Sequence, residues 1–125
     1  MKINFKKTKT ILFNTCHKFD FEPAISLTGE TLDNVEEIKL LGLMIRSDLK
    51  WFSNTEFITK KAFKRLWVLR RLKAMGADIE TLIDVYIKEV RPITEFAAPV
   101  WHSSITNKEV HDIERVQKSA LRIIL

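Results

Sequence analysis

"KKAFKRLWVLRRLK", Lys60 to Lys73, holds seven lysines and arginines and no acid, with Phe63, Leu66, Trp67, Val68, Leu69 and Leu72 set among them. At about 100° per residue, Lys60, Lys64, Trp67 and Arg71 fall on one narrow stripe, while Ile58, Ala62, Leu66 and Leu69 fall on the opposite one. The spacing predicts an amphipathic helix that packs one face and offers the other. Its ends are marked too. "SNTE", Ser53 to Glu56, has the capping-box pattern, in which a Ser53 hydroxyl accepts from the Glu56 amide and the Glu56 carboxylate reaches back. Gly76 supplies a left-handed stop after Met75, so the helix is predicted from Ser53 to Met75.

The charge is concentrated in that helix. The chain has 21 basic and 16 acidic residues, a net +5, and Lys60 to Lys73 takes seven of the basic ones. The remainder is slightly acidic. A local cationic surface suits a polyanion such as nucleic acid or an acidic membrane, and a solvated helix face is the simpler alternative. With 125 residues, 46% of them hydrophobic, the chain fits one compact domain or two small subdomains with a real core.

Before the helix the pattern is that of strands and turns. "KTKTILF", Lys7 to Phe13, alternates with period two and predicts a strand. "AISLTGETL" predicts a short hairpin turning at Thr28-Gly29. "EIKLLGLMI", Glu37 to Ile45, predicts a strand interrupted at Gly42 by a bulge or a close backbone approach. After Gly76, Asp78 caps a second helix running from Ile79 to about Val90, which Pro92 is expected to end. "ITEFAAPVW" allows a short helix or turn, broken at Pro99. "TNKE", Thr106 to Glu109, is a second capping box, opening a helix with Val110, Ile113, Gln117, Ala120, Leu121 and Ile124 on one stripe. The fold class is therefore α+β: a short antiparallel β unit over residues 1–52 and a helical bundle over 53–125, with the composition changing near Trp51.

The sequence carries few reactive constellations. The single cysteine, Cys16, excludes an internal disulfide, and with His17, His102 and His111 scattered there is no zinc-ligand spacing. Three glycines form no phosphate-cradling loop, and no Asp-Asp pair is present for two-metal phosphoryl transfer. Glu36 and Glu37 would face opposite sides of a strand, and Asp112 and Glu114 read as surface charges. No apolar run is long enough to span a membrane and no signal peptide is apparent, so the chain reads as intracellular, nucleus or cytoplasm unresolved.

Three stretches, in this order, resemble the reverse transcriptase of non-LTR, LINE-type or Jockey-like retrotransposons. "INFKKTKTILF", Ile3 to Phe13, is similar to the family's Asn-x-x-Lys-Thr-Lys segment downstream of the catalytic palm motif. "VEEIKLLGLMIRSDLKW", Val35 to Trp51, matches the primer-grip strand at Lys39, Leu41 and Gly42 and the turn after it at Leu49 and Trp51. "VRPITEFAAPVW" with "IERVQKSALRII" is similar to its Val-Arg-Pro, Glu-aromatic-Ala, Val-Trp and Glu-x-x-Gln-x-x-Ala-Leu-Arg pattern. The order and spacing, over essentially all 125 residues, carry the resemblance. Asn54 stands where the family commonly has histidine, and Phe96 where tyrosine is commoner.

The resemblance implies that residues 1–52 are the end of a polymerase palm with the primer grip, and 53–125 a helical thumb. The partner it implies is an RNA/DNA template-primer duplex, with the upstream palm and fingers of the same polymerase. The family's aromatic-x-Asp-Asp motif would lie upstream of Met1, so the expected function is duplex binding without catalysis, and magnesium is expected only for the intact polymerase. Lys60, Lys64, Trp67 and Arg71 are then the nucleic-acid-binding residues, although Trp67 could instead cover a neighbouring helix. Leu41 and Gly42 form the primer grip, Gly42 being either an approach to the primer end or a bulge. Lys7 matches a position near the incoming nucleotide, or is a plain surface lysine. Arg91 and Glu95 read as fixing the turn between thumb helices. The rival class is a non-catalytic basic helical domain that binds a membrane surface or a protein partner.

Overall fold

The computed structural model describes residues 2–13 and 24–125, and Cys16 and His17 lie outside them. Its contacts divide the chain into two compact units, Met1–Lys50 and Trp51–Leu125. The chain is of mixed α and β type.

In the first unit a 3-10 turn, Phe5–Lys7, is capped by the Asn4 side chain, which accepts from the Lys6 amide at 3.1 Å. The strand predicted over Lys7 to Phe13 is shorter. Only β1, Lys9–Thr10, pairs, and it pairs in parallel with β4, Asp33–Asn34, fastened by a Lys9–Asp33 ion pair of 2.5 Å. The alternation of apolar residues continues past Thr10, but among the described residues no strand pairs with Ile11 to Phe13. The Thr28-Gly29 hairpin forms as expected, joining β2, Ser26–Leu27, to β3, Glu30–Thr31, with φ of 51° and 88° at the turn.

The segment read as one strand over Glu37 to Ile45 folds back on itself. β5, Glu37–Leu40, and β6, Leu43–Arg46, form an antiparallel hairpin in the register Glu37↔Arg46, Ile38↔Ile45, Lys39↔Met44 and Leu40↔Leu43. Leu41 and Gly42 are its two-residue turn, with φ of 49° and 88°, both left-handed as a type I′ turn requires. Gly42 is therefore a turn residue and no bulge. The reading failed because leucines flank the glycine, where Asn-Gly or Asp-Gly would have announced the turn. Arg46 then grips Asp48 through two hydrogen bonds of 3.1 and 3.0 Å, which hold the Asp48 carboxyl below its ordinary range.

In the second unit α1 runs from Phe52 to Ala74. It starts one residue before Ser53, so the first capping box does not form. Trp51 occupies the cap with no side-chain bond, and the Glu56 carboxylate turns forward to Lys60 at 2.5 Å. The first turn is instead fixed by burial: Asn54 and Thr55 are enclosed, and the Thr55 hydroxyl lies 3.4 Å from Glu109. At the other end Gly76, at φ 85°, closes a Schellman motif, with its amide on Lys73 and that of Ala77 on Leu72 at 3.0 and 3.1 Å.

Asp78 caps α2, Ile79–Val85, by accepting from the Thr81 amide at 3.0 Å, and the Thr81 hydroxyl and amide hold its carboxyl below the ordinary range. Pro92 does not end this helix. Tyr86–Val90 form a π turn, in which the Arg91 amide donates to the Tyr86 carbonyl, and α3, Arg91–Glu95, continues with Arg91 itself helical at φ −56°. The wider turn relieves the clash between the proline ring and the preceding carbonyls, which a regular helix would have imposed. Ala97, left-handed at φ 51°, breaks the chain before α4, Ala98–Trp101. A 3-10 turn over His102–Ser104 leads to α5, Asn107–Ile124, whose capping box forms as read: the Glu109 carboxylate accepts from the Thr106 amide at 2.7 Å.

The core lies between these helices, with Ala62, Leu66 and Leu69 of α1, Leu82 of α2, Val90, and Val116, Ala120 and Ile124 of α5. The stripe predicted on α5 is rotated: Glu109, Val116, Ala120 and Ile124 are buried, whereas Gln117 and Leu121 are exposed. Packing against α1 selects that row. Lys73 adds a bond from its ammonium to the Ile123 carbonyl at 2.5 Å, satisfying one of the free carbonyls at the end of α5.

Candidate nucleic-acid interface

The interface is built on α1 because its sequence separates two chemistries by half a turn. Ile58, Ala62, Leu66 and Leu69 are at most 2% exposed, and this burial fixes the rotation of the helix about its axis. Lys60, Lys64, Trp67 and Arg71 are thereby held together on the outer face. Trp67 is 62% exposed, so it does not serve to cover a neighbouring helix.

The four are not equivalent. Lys60 is paired with Glu56, whose carboxyl it holds below the ordinary range, and part of its charge is already answered. Among the described residues Lys64 and Arg71 have no acidic partner. Lys61 and Arg70, which the stripe did not include, are likewise exposed and unpaired. Arg65 faces Glu89 at 3.7 Å. The signal was present in the sequence: Lys61, Lys64, Arg70 and Arg71 have no acid three or four residues away, whereas Glu56 stands four before Lys60. The offered surface is thus an aromatic ring flanked by Lys64 and Arg71, seven residues and about 10 Å apart along the axis. Chemically, such a surface can answer phosphates with its cations and lie against an apolar or aromatic edge with its ring.

The remaining predicted positions belong to the other unit. Leu41 is 87% exposed at the tip of the β5–β6 hairpin, with Gly42 beside it. A leucine in left-handed conformation costs on the order of 1 kcal/mol, and here no burial of its side chain offsets that cost. Lys7 is exposed at the end of the first 3-10 turn. Among the described residues no three His, Cys, Asp or Glu side chains are placed to hold a metal ion together. Among the described residues no helix is long and apolar enough to cross a membrane.

No protein-family model, curated protein or solved structure matches the chain.

Proposed function

We propose that the outer face of α1 docks on the backbone of a nucleic-acid duplex, and that the chain is the template-primer-binding part of a non-LTR reverse transcriptase. In this reading the helical unit is the thumb, and the β5–β6 hairpin is the primer grip. The observation that carries the duplex reading is the exposed, unpaired group Lys64, Trp67 and Arg71 on a helix whose opposite face is fully buried. Each cation that neutralises a phosphate releases counterions, and such contacts orient a protein on a duplex without reading its sequence. Lys61 and Arg70 widen the footprint, and Lys60 contributes less because it must exchange Glu56 for a phosphate.

The same observation disfavours the membrane-surface alternative. An interfacial helix sinks an apolar face into lipid. The apolar face of α1 is occupied by Leu82, Val116 and Ala120 of its own unit, and on the outward stripe of Lys60, Lys64, Trp67 and Arg71 the only apolar side chain is Trp67. The chain supplies binding and positioning. Phosphoryl transfer would fall to carboxylate-held metals elsewhere in the polymerase.

The test is a direct competition. The chain should bind a short RNA–DNA duplex at low salt and fail to float with vesicles rich in phosphatidylserine. Flotation without duplex binding would overturn the proposal in favour of a membrane surface.

A further inference from the structure

The second unit holds a cavity of about 490 Å³ walled by residues from the π turn to the middle of α5. None of its lining residues belongs to α1, so it is separate from the cation stripe. Two backbone irregularities shape it. The π turn begins at Tyr86, which lines the cavity, and left-handed Ala97 redirects the chain so that Ala98 and Trp101 line it from α4. Widened turns and left-handed non-glycine residues cost free energy, and both tend to occur where a site is formed.

The lining has an apolar floor and a polar rim. Trp101 is 1% exposed, and its indole N–H is already used on the Phe96 carbonyl at 2.9 Å, so it backs the wall and offers the cavity no free donor. Ile105, Val110 and Ile113 add half-buried aliphatic walls. On the rim the charges answer one another: Arg91 binds Glu95 at 2.7 Å, and Glu114 has Lys118 at 3.4 Å. The groups left without a hydrogen-bond partner are the Tyr86 hydroxyl, the Gln117 amide and the His102 ring. Burial pushes the Tyr86 phenol above its ordinary value of 10.0, so it stays a neutral donor at pH 7. A ligand with a formal charge gains little from such a rim. A flat ring with donors and acceptors on its edge can lie on the floor and satisfy the rim at once.

We propose that this cavity binds a neutral heteroaromatic ring of nucleobase type, supplied either by a free nucleoside or by an unpaired base of a strand. Adenosine is the probe, followed by NMR on the isotope-labelled 125-residue chain. Saturating shifts should be confined to the lining, at Tyr86, His102, Ile113 and Gln117. Tyr86→Phe should weaken binding about three- to tenfold, the loss of one hydrogen bond. Ile113→Trp, which fills the cavity, should abolish the shifts. Gln117→Trp, at an exposed rim position, should do the same if the first variant does not fold. Adenosine monophosphate should bind within a few-fold of adenosine. An oligoadenylate strand that shifts the same residues at lower concentration assigns the site to a strand, and shifts from adenosine alone assign it to a free nucleoside. No shifts at the lining, shifts that survive both tryptophan variants, or a tenfold preference for the monophosphate would overturn the proposal.

Discussion

The two units hold themselves together by different means. In Trp51–Leu125 ten hydrophobic side chains are buried, and three helix ends are fixed by local chemistry: Gly76 after α1, Asp78 before α2 and the Thr106–Glu109 box before α5. In Met1–Lys50 no described side chain is buried, and the order comes from two-stranded pairings, a type I′ turn and exposed ion pairs. Two-stranded hairpins are marginal alone in water, and exposed ion pairs add little. The helical unit therefore has the means to be a rigid frame, and the β unit resembles a piece of surface. The proposed roles divide the same way, since a docking stripe needs a fixed helix and a hairpin tip needs only to reach.

The largest expected effect lies in the frame. Leu66→Ala should destabilise the helical unit by about 2 to 5 kcal/mol, the usual cost of a cavity at a fully buried leucine, read as a lowered midpoint in thermal or urea unfolding. Leu40→Ala in the exposed hairpin should move that midpoint by no more than about 0.5 kcal/mol. Equal losses would erase the distinction between the units. Gly42→Val should be next, because a β-branched residue at φ 88° costs on the order of 1 to 2 kcal/mol. The cross-strand contacts of β5 and β6 should vanish from NMR spectra while α1 and α5 keep theirs. A hairpin that survives would mean that its order does not depend on the turn.

The contrast also explains what could be read in advance. The stop at Gly76, the Asp78 cap and the Thr106 box were legible because each is local chemistry between residues at most a few positions apart. So were the buried face of α1 and the grouping of Lys60, Lys64, Trp67 and Arg71, which follow from helical period alone. The Leu40–Leu43 turn was hidden because leucines mask a conformation that the alternation of side chains does not encode. The π turn before Pro92 was hidden because the stop rule describes a regular helix, and tertiary packing of Val90 lets the chain continue. Ser53 shows the limit of a motif: the residues were right, yet burial of Asn54 and Thr55 moved the helix start and sent Glu56 to Lys60.

That last difference gives a smaller but sharp test. Thr106→Ala removes a cap whose bonds are present and should cost about 1 kcal/mol, whereas Ser53→Ala removes one that is not formed and should be close to neutral. Equal losses in urea unfolding would restore the first capping box.

The most direct measurement is the salt dependence of affinity for an RNA–DNA duplex. Replacing Lys64 and Arg71 together by alanine should lower the slope of log K against log salt by roughly 1.4 to 1.8, about 0.7 to 0.9 for each lost phosphate contact. Lys60→Ala should lower it less than either, because Lys60 is held by Glu56. Lys108→Ala with Lys118→Ala, on α5, should leave the slope nearly unchanged. Equal slope losses in the α1 and α5 pairs would mean a diffuse positive field, and no loss in the Lys64 and Arg71 variant would contradict docking through α1.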